Sequence, residues 1–269
     1  MSVQPLRRQV LVSCDPETAM RLWVEDIGSW WPLDSHRCYP GGGSVAFEGD
    51  QIVETSASGD RAEWGAVSVR QPGLLSFSWH PGRDAEQATR VTVSFVSGGR
   101  EDLTLVTLTH EGWEAHPKTG AARAEYAVGW VYVLNRMVDV TADEAEAAGA
   151  GSPATEGKDL WFVLQHTAGP ATPPDGVFAS PDFRHHVAFL QRLAAEGVLV
   201  AGGSLPDSAG SGMTIVRTSG AAQARTVIAA AQLEDGAVQA ELLEVLVRPW
   251  RVALSGLPAG STAHQPPQA

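Results

Sequence analysis

Between residues 44 and 113 the chain repeats one simple unit: a short run rich in β-branched and aromatic residues, then a turn. The runs are 44–47, 51–55, 62–70, 74–79, 89–96 and 103–110. The breaks between them include Glu48-Gly49-Asp50, Ser58-Gly59-Asp60, Gln71-Pro72-Gly73, His80-Pro81-Gly82 and Ser97-Gly98-Gly99. Strands at this spacing with such turns predict an antiparallel meander. In run 89–96, Val91, Val93 and Phe95 fall on one face and Thr92 and Ser94 on the other, so the sheet has one wet side. After Gly120 the period changes. Tyr126, Trp130, Val133, Leu134 and Met137 recur at helical spacing and predict one long helix over about 121–138 or beyond. A curved sheet followed by such a helix can bury both apolar faces by laying the helix across the concave side, and the space between them is a cavity or a core.

The segment before the meander reads as a strand over 8–13, then a helix to about residue 25. Asp15 is placed as its N-cap, Pro16 as its first residue and Glu17 as a first-turn acid. Trp30 and Trp31 lie beside Pro32, which predicts that at least one of the two rings is buried.

The pattern changes again after the helix. Residues 143–157 are Ala, Gly, Glu, Ser and Pro without apolar periodicity and read as a linker. From Asp159 the order is strand (160–167), Gly/Pro-rich loop, helix (181–196), strand (198–201), strand (213–218), helix (221–231), strand (241–248). That is the βαββαβ order of the ferredoxin-like plan. The expected fold class is therefore α+β, with a domain of curved antiparallel sheet and long C-terminal helix over 1–142, a linker over 143–157, a ferredoxin-like domain over 158–254 and a disordered tail over 255–269. Two helices cover one face of the second sheet. The other face needs a second copy of the chain or the first domain against it, and a homodimer through the C-terminal domain is the expected assembly.

Composition excludes several function classes. The net charge is −12, only two residues are Lys (Lys118 and Lys158), and no basic cluster exceeds Arg7-Arg8. Nucleic acid and anionic membrane surfaces, which need clustered cations, are not expected partners. No apolar run approaches the ~20 residues of a membrane span and the N-terminus lacks a signal-peptide core. Two cysteines without metal or redox spacing, Cys14 and Cys38, suit a reducing compartment, so a cytoplasmic protein is expected.

Particular residues carry two family resemblances. Asp26-Ile27-Gly28-Ser29-Trp30-Trp31-Pro32-Leu33 with Ser35-His36, Glu63-Trp64-Gly65, Trp79-His80-Pro81-Gly82-Arg83-Asp84, the run from Thr107 to Glu114, and Gly129-Trp130 resemble the START-like helix-grip superfamily (SRPBCC). Within it they resemble the bacterial branch related to heat-shock ATPase activators. The resemblance covers roughly 9–137 and implies a hydrophobic ligand cavity between sheet and helix. His186 with Phe189-Leu190, Ala201-Gly202-Gly203 leading to Asp207, and Leu246-Val247-Arg248-Pro249-Trp250 resemble the YCII-related family over about 160–252. That resemblance implies a dimeric ferredoxin-like fold and a proposed His–Asp active-site pair, which maps to His186 and Asp207. The acidic Asp-Pro-Phe stretch of that family is represented here only by Leu233-Glu234-Asp235-Gly236.

The residues themselves point to the same pair. Helical phase puts His186 on the apolar face with Phe183, Phe189 and Leu193, and turns His185 about 100° away. A carboxylate beside an imidazole fixes its tautomer and raises its pKa, as a general acid–base needs; a packed structural histidine is the alternative. His166, ending the first strand, joins the catalytic candidates. His166, His186 and Asp207 have no fixed local spacing, so no metal is expected. Gly202-Gly203-Ser204 and Gly210-Ser211-Gly212 do not open a helix after a strand; they read as turn glycines, and no cofactor is expected.

In the first half Trp30, Trp31, His36, Trp79, Trp113, Tyr126 and Trp130 are the candidate ligand-binding residues, with His80 and His110 as further polar groups. An apolar or aromatic small molecule is the expected partner. The functional expectation is an enzyme of small-molecule metabolism, a lyase, isomerase or cyclase, using the His–Asp pair. The alternative is a non-catalytic carrier of a hydrophobic ligand whose second domain dimerises.

Overall fold

The computed structural model describes residues 3–147 and 159–255. The chain divides into two compact units, Met1–Gly151 and Ser152–Ala269.

The first unit opens with strand β1 (Leu6–Val12) and helix α1 (Pro16–Val24). The Asp15 side chain accepts from the Glu17 and Thr18 amides, and Pro16 occupies the first turn, where its missing N–H costs nothing. A single helical turn, α2 (Ile27–Trp30), follows. Strands β2 (Gly43–Glu48), β3 (Gln51–Ser56), β4 (Arg61–Gln71), β5 (Leu74–Trp79), β6 (Thr89–Ser97) and β7 (Thr104–Glu111) form the meander within a residue or so of the sequence reading. They make one strongly curled antiparallel sheet in the order β1-β7-β6-β5-β4-β3-β2. Register shifts in β3–β4 and β4–β5 mark where it bends.

Helix α3 (Thr119–Ala147) turns Ala122, Trp130, Val133, Leu134 and Met137 into the core. These residues share one buried cluster with Leu6, Val12, Phe77, Val91, Val93 and Phe95 of the sheet. A helix-grip-like arrangement fits this packing. The helix runs further than expected: residues 143–147, assigned above to the linker, are its last turns. Their Ala and Glu residues are strong helix formers even where no apolar face requires a helix. Residues 148–157 of the expected linker and 256–269 of the expected tail lie outside the described residues.

The second unit contains β8 (Leu160–Ala168), α4 (Phe183–Ala195), β9 (Leu199–Ser204), β10 (Gly212–Thr218), α5 (Ala221–Leu233), the short α6 (Gly236–Gln239) and β11 (Leu243–Pro249). Its sheet order is β11-β8-β10-β9, and every neighbouring pair is antiparallel. Residues alternate strictly along β8: Leu160, Phe162, Leu164 and His166 are buried, while Trp161, Val163 and Gln165 are half-exposed. Strand β9 includes Gly202, Gly203 and Ser204, so those glycines are strand residues and not the turn residues expected; Gly210 does lie in a turn, with φ +72°.

Candidate functional site

Four indole rings make one wall in the first unit. Trp31 follows α2, Trp64 is on β4, Trp79 ends β5 and Trp130 projects from α3. Trp31 lies 5.1, 5.7 and 5.9 Å from Trp64, Trp79 and Trp130, centroid to centroid. They border a pocket of about 670 Å³. Tyr126, Gly129 and Val133 of α3 form another side, and Gly129 leaves room there, since a Cβ would come within 3.4 Å of His36 Nε2. Tyr126 Oη accepts from Trp79 Nε1 at 3.2 Å. The mouth carries Arg37, Arg83 and Lys118 against one acid, Glu125. Among the described residues none of these three cations forms an ion pair; Arg37 donates to the Leu33 carbonyl and Arg83 to the Trp79 carbonyl.

Each candidate from the sequence now has a place. Trp31, His36, Trp79, Tyr126 and Trp130 line the pocket. Trp30 and Trp113 do not: both are sealed in core, and Trp30 Nε1 donates to the Leu22 carbonyl. Periodicity places a ring on the inner side of the sheet without separating core from cavity. Trp64 and Arg83 also line the pocket, Trp64 from the face of β4 that it shares with Ala62; Cys38 and His116 line it and were not expected.

The polar candidates separate in the same way. Trp130 Nε1 donates to His110 Nδ1 at 3.0 Å, so the His110 proton sits on Nε2 and is donated to Thr89 Oγ1 at 2.7 Å. Thr89 passes its own proton to the Trp79 carbonyl at 2.9 Å. Every lone pair and proton of the ring is used. Burial, and then the Arg83 charge, push the His110 pKa down to about 3. His110 is thus a neutral structural link, not a ligand contact. His80 is likewise buried, with Nδ1 3.1 Å from the Arg83 carbonyl. His116 accepts the Lys118 amide on Nδ1, and burial followed by Arg83 lowers its pKa. Burial, then the Glu54 charge, raise the Cys38 thiol to about 11, so it is not a poised nucleophile.

The loop carrying His36 and Cys38 is tied down by Glu54 of β3. Glu54 is 1% exposed. Its carboxylate accepts from Cys38 N at 2.6 Å, Tyr39 N at 3.0 Å and Trp64 Nε1 at 3.0 Å.

The second unit corrects the acid–base pair. Helix α4 does turn His186 inward and His185 outward. Asp207, however, is exposed in the turn after β9, and it is not the acid bonded to His186. That acid is Asp235, the N-cap of α6: its Oδ2 lies 2.6 Å from His186 Nδ1, and its Oδ1 accepts from Ala237 N at 3.0 Å. Asp235 is fully buried. Gly236 permits the approach, because a Cβ there would lie 2.8 Å from His185 Cβ. Asp207 was favoured for its nearness in sequence; the true partner is 49 residues away. The available signal was the acidic Leu233-Glu234-Asp235-Gly236 stretch, whose Asp-Gly can cap a short helix.

His166 on β8 completes the cluster. Its ring is 4.5 Å from that of His186, and its Nε2 is 4.0 Å from Asp235 Oδ2. It is 2% exposed, and neither ring nitrogen has a hydrogen-bond partner. Burial, and then its His186 neighbour, push its pKa down to about 4, against the opposing Asp235 charge and the Leu164 backbone. A pocket of about 180 Å³ adjoins both histidines, with Phe183, Leu190, Met213 and Leu243 among its apolar lining and Ser204 and Ser211 among its polar lining.

No family model matches the chain, and no curated protein matches it. Solved structures to which it is similar include protein MLL2253 from Mesorhizobium loti, at 15% identity over 51% of this chain and 95% of that one, with a TM-score of 0.38. Protein CV1439 from Chromobacterium violaceum is similar at 17% identity over 52% and 98%, TM-score 0.38. The anthrahydroquino-γ-pyrone synthase Txn09 is similar at 25% identity over 43% and 80%, TM-score 0.33. At TM-scores this low the chemistry of the sites rests on their own geometry. Among the described residues no helix is long and apolar enough to cross a membrane.

Proposed function

We propose that the first unit is a START-like helix-grip domain that binds an apolar or aromatic small molecule bearing an acidic group. The observation that carries this reading is the pocket of about 670 Å³ walled by Trp31, Trp64, Trp79 and Trp130. Its size falls in the range of small-molecule sites. Flat indole faces favour planar apolar ligands. Arg37, Arg83 and Lys118 at the mouth, without acidic partners, favour a carboxylate or phenolate at one end, in a chain otherwise rich in acid.

The test is a thermal-shift and tryptophan-fluorescence screen of aromatic acids against their neutral amides. The acids are expected to raise the melting temperature and perturb the fluorescence more than the amides, with the difference shrinking in high salt. Gly129→Leu, which places a side chain on the pocket wall against His36, is expected to abolish both signals with the fold retained by circular dichroism. No response to any compound, or an undiminished response in Gly129→Leu, overturns the reading.

A second reading is favoured by the 2.6 Å contact between His186 and Asp235 beside its own small pocket. We propose that the second unit is a ferredoxin-like, YCII-related domain in which this pair moves a proton in a lyase, isomerase or cyclase reaction. The element order and the β11-β8-β10-β9 sheet support that assignment. Asp235 holds the imidazole proton on Nδ1 and leaves Nε2 to take or give one. Turnover of any ligand found in the screen should then vanish in His186→Gln while its binding to the first unit persists. Turnover unchanged in that variant removes the pair from the chemistry.

A further inference from the structure

We propose that His166, His186 and Asp235 form a binding site for one divalent transition-metal ion of the zinc, cobalt or iron(II) class. The inference shares its residues with the acid–base reading but does not depend on it: the hydrogen-bonded pair is the metal-free form.

Three donor residues from three different elements converge: His166 from strand β8, His186 from helix α4 and Asp235 from the cap of α6. One ligand atom from each lies within 4.8 Å of the others, and all three residues are buried. Bonds of ~2.0–2.1 Å to a metal place ligand atoms about 3.0–3.4 Å apart. The observed separations of 2.6 Å for His186–Asp235 and 4.0 Å for His166–Asp235 bracket that range. Ligation therefore asks for a small opening of the His186–Asp235 contact and a closing of His166 onto the other two, from separations of at most 4.8 Å.

The independent observation is His166. A buried imidazole nearly always has a partner for at least one nitrogen. Here both ring nitrogens are without one, and the ring faces a carboxylate it does not reach. His166 therefore adds nothing to the His186–Asp235 hydrogen bond, while as a metal ligand it would have the partner it lacks. Charge points the same way. Among the described residues no Lys or Arg forms an ion pair with the fully buried Asp235. A divalent cation would neutralise it.

The donor set selects the metal. Two imidazoles and one carboxylate suit Zn²⁺, Co²⁺ and Fe²⁺, and not Mg²⁺ or Ca²⁺, which take oxygen ligands. Three protein ligands leave at least one coordination position open, which is the pattern of a catalytic and not a structural site. The pocket of about 180 Å³ beside the two histidines has room for water or a small oxygen-bearing ligand at that position.

The experiment uses the full chain, untagged and stripped with a chelator, without any organic ligand. Zn²⁺ is titrated by calorimetry and Co²⁺ by visible absorption. One equivalent per chain is expected, with Mg²⁺ giving no heat. His166→Ala and Asp235→Asn are each expected to weaken uptake at least tenfold, and Asp207→Ala to leave it unchanged. Should either variant fail to fold, zinc-edge X-ray absorption of the loaded wild type decides: two imidazole scatterers and no sulfur are expected. No uptake, uptake unaffected by His166→Ala, or a sulfur shell from Cys14 or Cys38 overturns the proposal. Because binding is read on the resting chain, its failure leaves the acid–base reading standing.

Discussion

At the scale of single residues, burial decides what each polar group can do. Glu54 is the clearest case. Three N–H donors converge on its two oxygens, and through them it holds the 36–39 loop and Trp64 against the ligand pocket. Glu54→Gln puts an NH₂ group against one or more of those donors. The expected cost is about 1–3 kcal/mol, the penalty of a buried unsatisfied pair, read by urea unfolding together with a loosened pocket in the ligand screen. A cost within error would mean the carboxylate is dispensable. The histidines give the pH behaviour. His110 and His166 have folded-state pKa values pushed down to about 3 and about 4, while an unfolded histidine titrates near 6.5. Between those values the unfolded chain holds more protons, so acid favours unfolding. The stability they confer is complete above about pH 6.5 and is lost progressively toward pH 4. The urea midpoint should fall between pH 7.5 and 5, with the His110 ring resonances unmoved across that range. A midpoint that rises on acidification contradicts this. None of it was legible beforehand. A sequence shows that Glu54 is in a strand but not which amides meet it, and it shows His110 facing inward but not that its two nitrogens are already spent.

At the scale of elements, far more could be read. Strands β2 to β7 announce themselves because alternation of period two and Gly/Asp/Pro turns are local properties. The Asp15-Pro16 start of α1 is equally local. Errors arose where the signal was not local. The last turns of α3 carry helix propensity without an apolar stripe, and were taken for linker. The acid serving His186 comes from beyond α5, and spacing along the chain does not show which loop a fold brings home. Helix α6 owes its position against α4 to Gly236, where any side chain collides with His185. Gly236→Ala should push α6 outward and draw Asp235 away from His186, at about 1–3 kcal/mol of strain. The readout is the strongly downfield Nδ1 proton of His186, expected in wild type and absent from the variant. Its survival unshifted would mean α6 has slack the close approach denies.

At the scale of the whole molecule, the second unit leaves one surface to account for. Its sheet presents Trp161, Val163, Ile215 and Leu246, half-exposed, on the face opposite the buried Phe162, Leu164, Val216 and Val247. Trp250 stands edge-on to Trp161 at 6.0 Å, and the Arg217 guanidinium lies over the Trp161 ring at 5.8 Å. An apolar centre of this kind costs free energy in water. The same strands supply both charge signs, Arg217 and Arg248 with Glu244 and, at the entry to β8, Asp159. A surface carrying both signs around an apolar centre can be complementary to itself across a two-fold axis. We therefore propose that a second copy of the chain covers it, sheet against sheet. Light scattering of the purified protein should give twice the 28.4 kDa chain mass. Ile215→Glu with Val163→Glu, which places like charges on neighbouring strands at the centre of the apolar face, should return it to one chain mass with the unit still folded by circular dichroism. A wild-type mass of one chain, or a dimer that survives both substitutions, removes this sheet as the interface. A dimer would also give each assembly two His186–Asp235 clusters and two tryptophan-walled pockets, so ligand and metal stoichiometries per assembly should both be two.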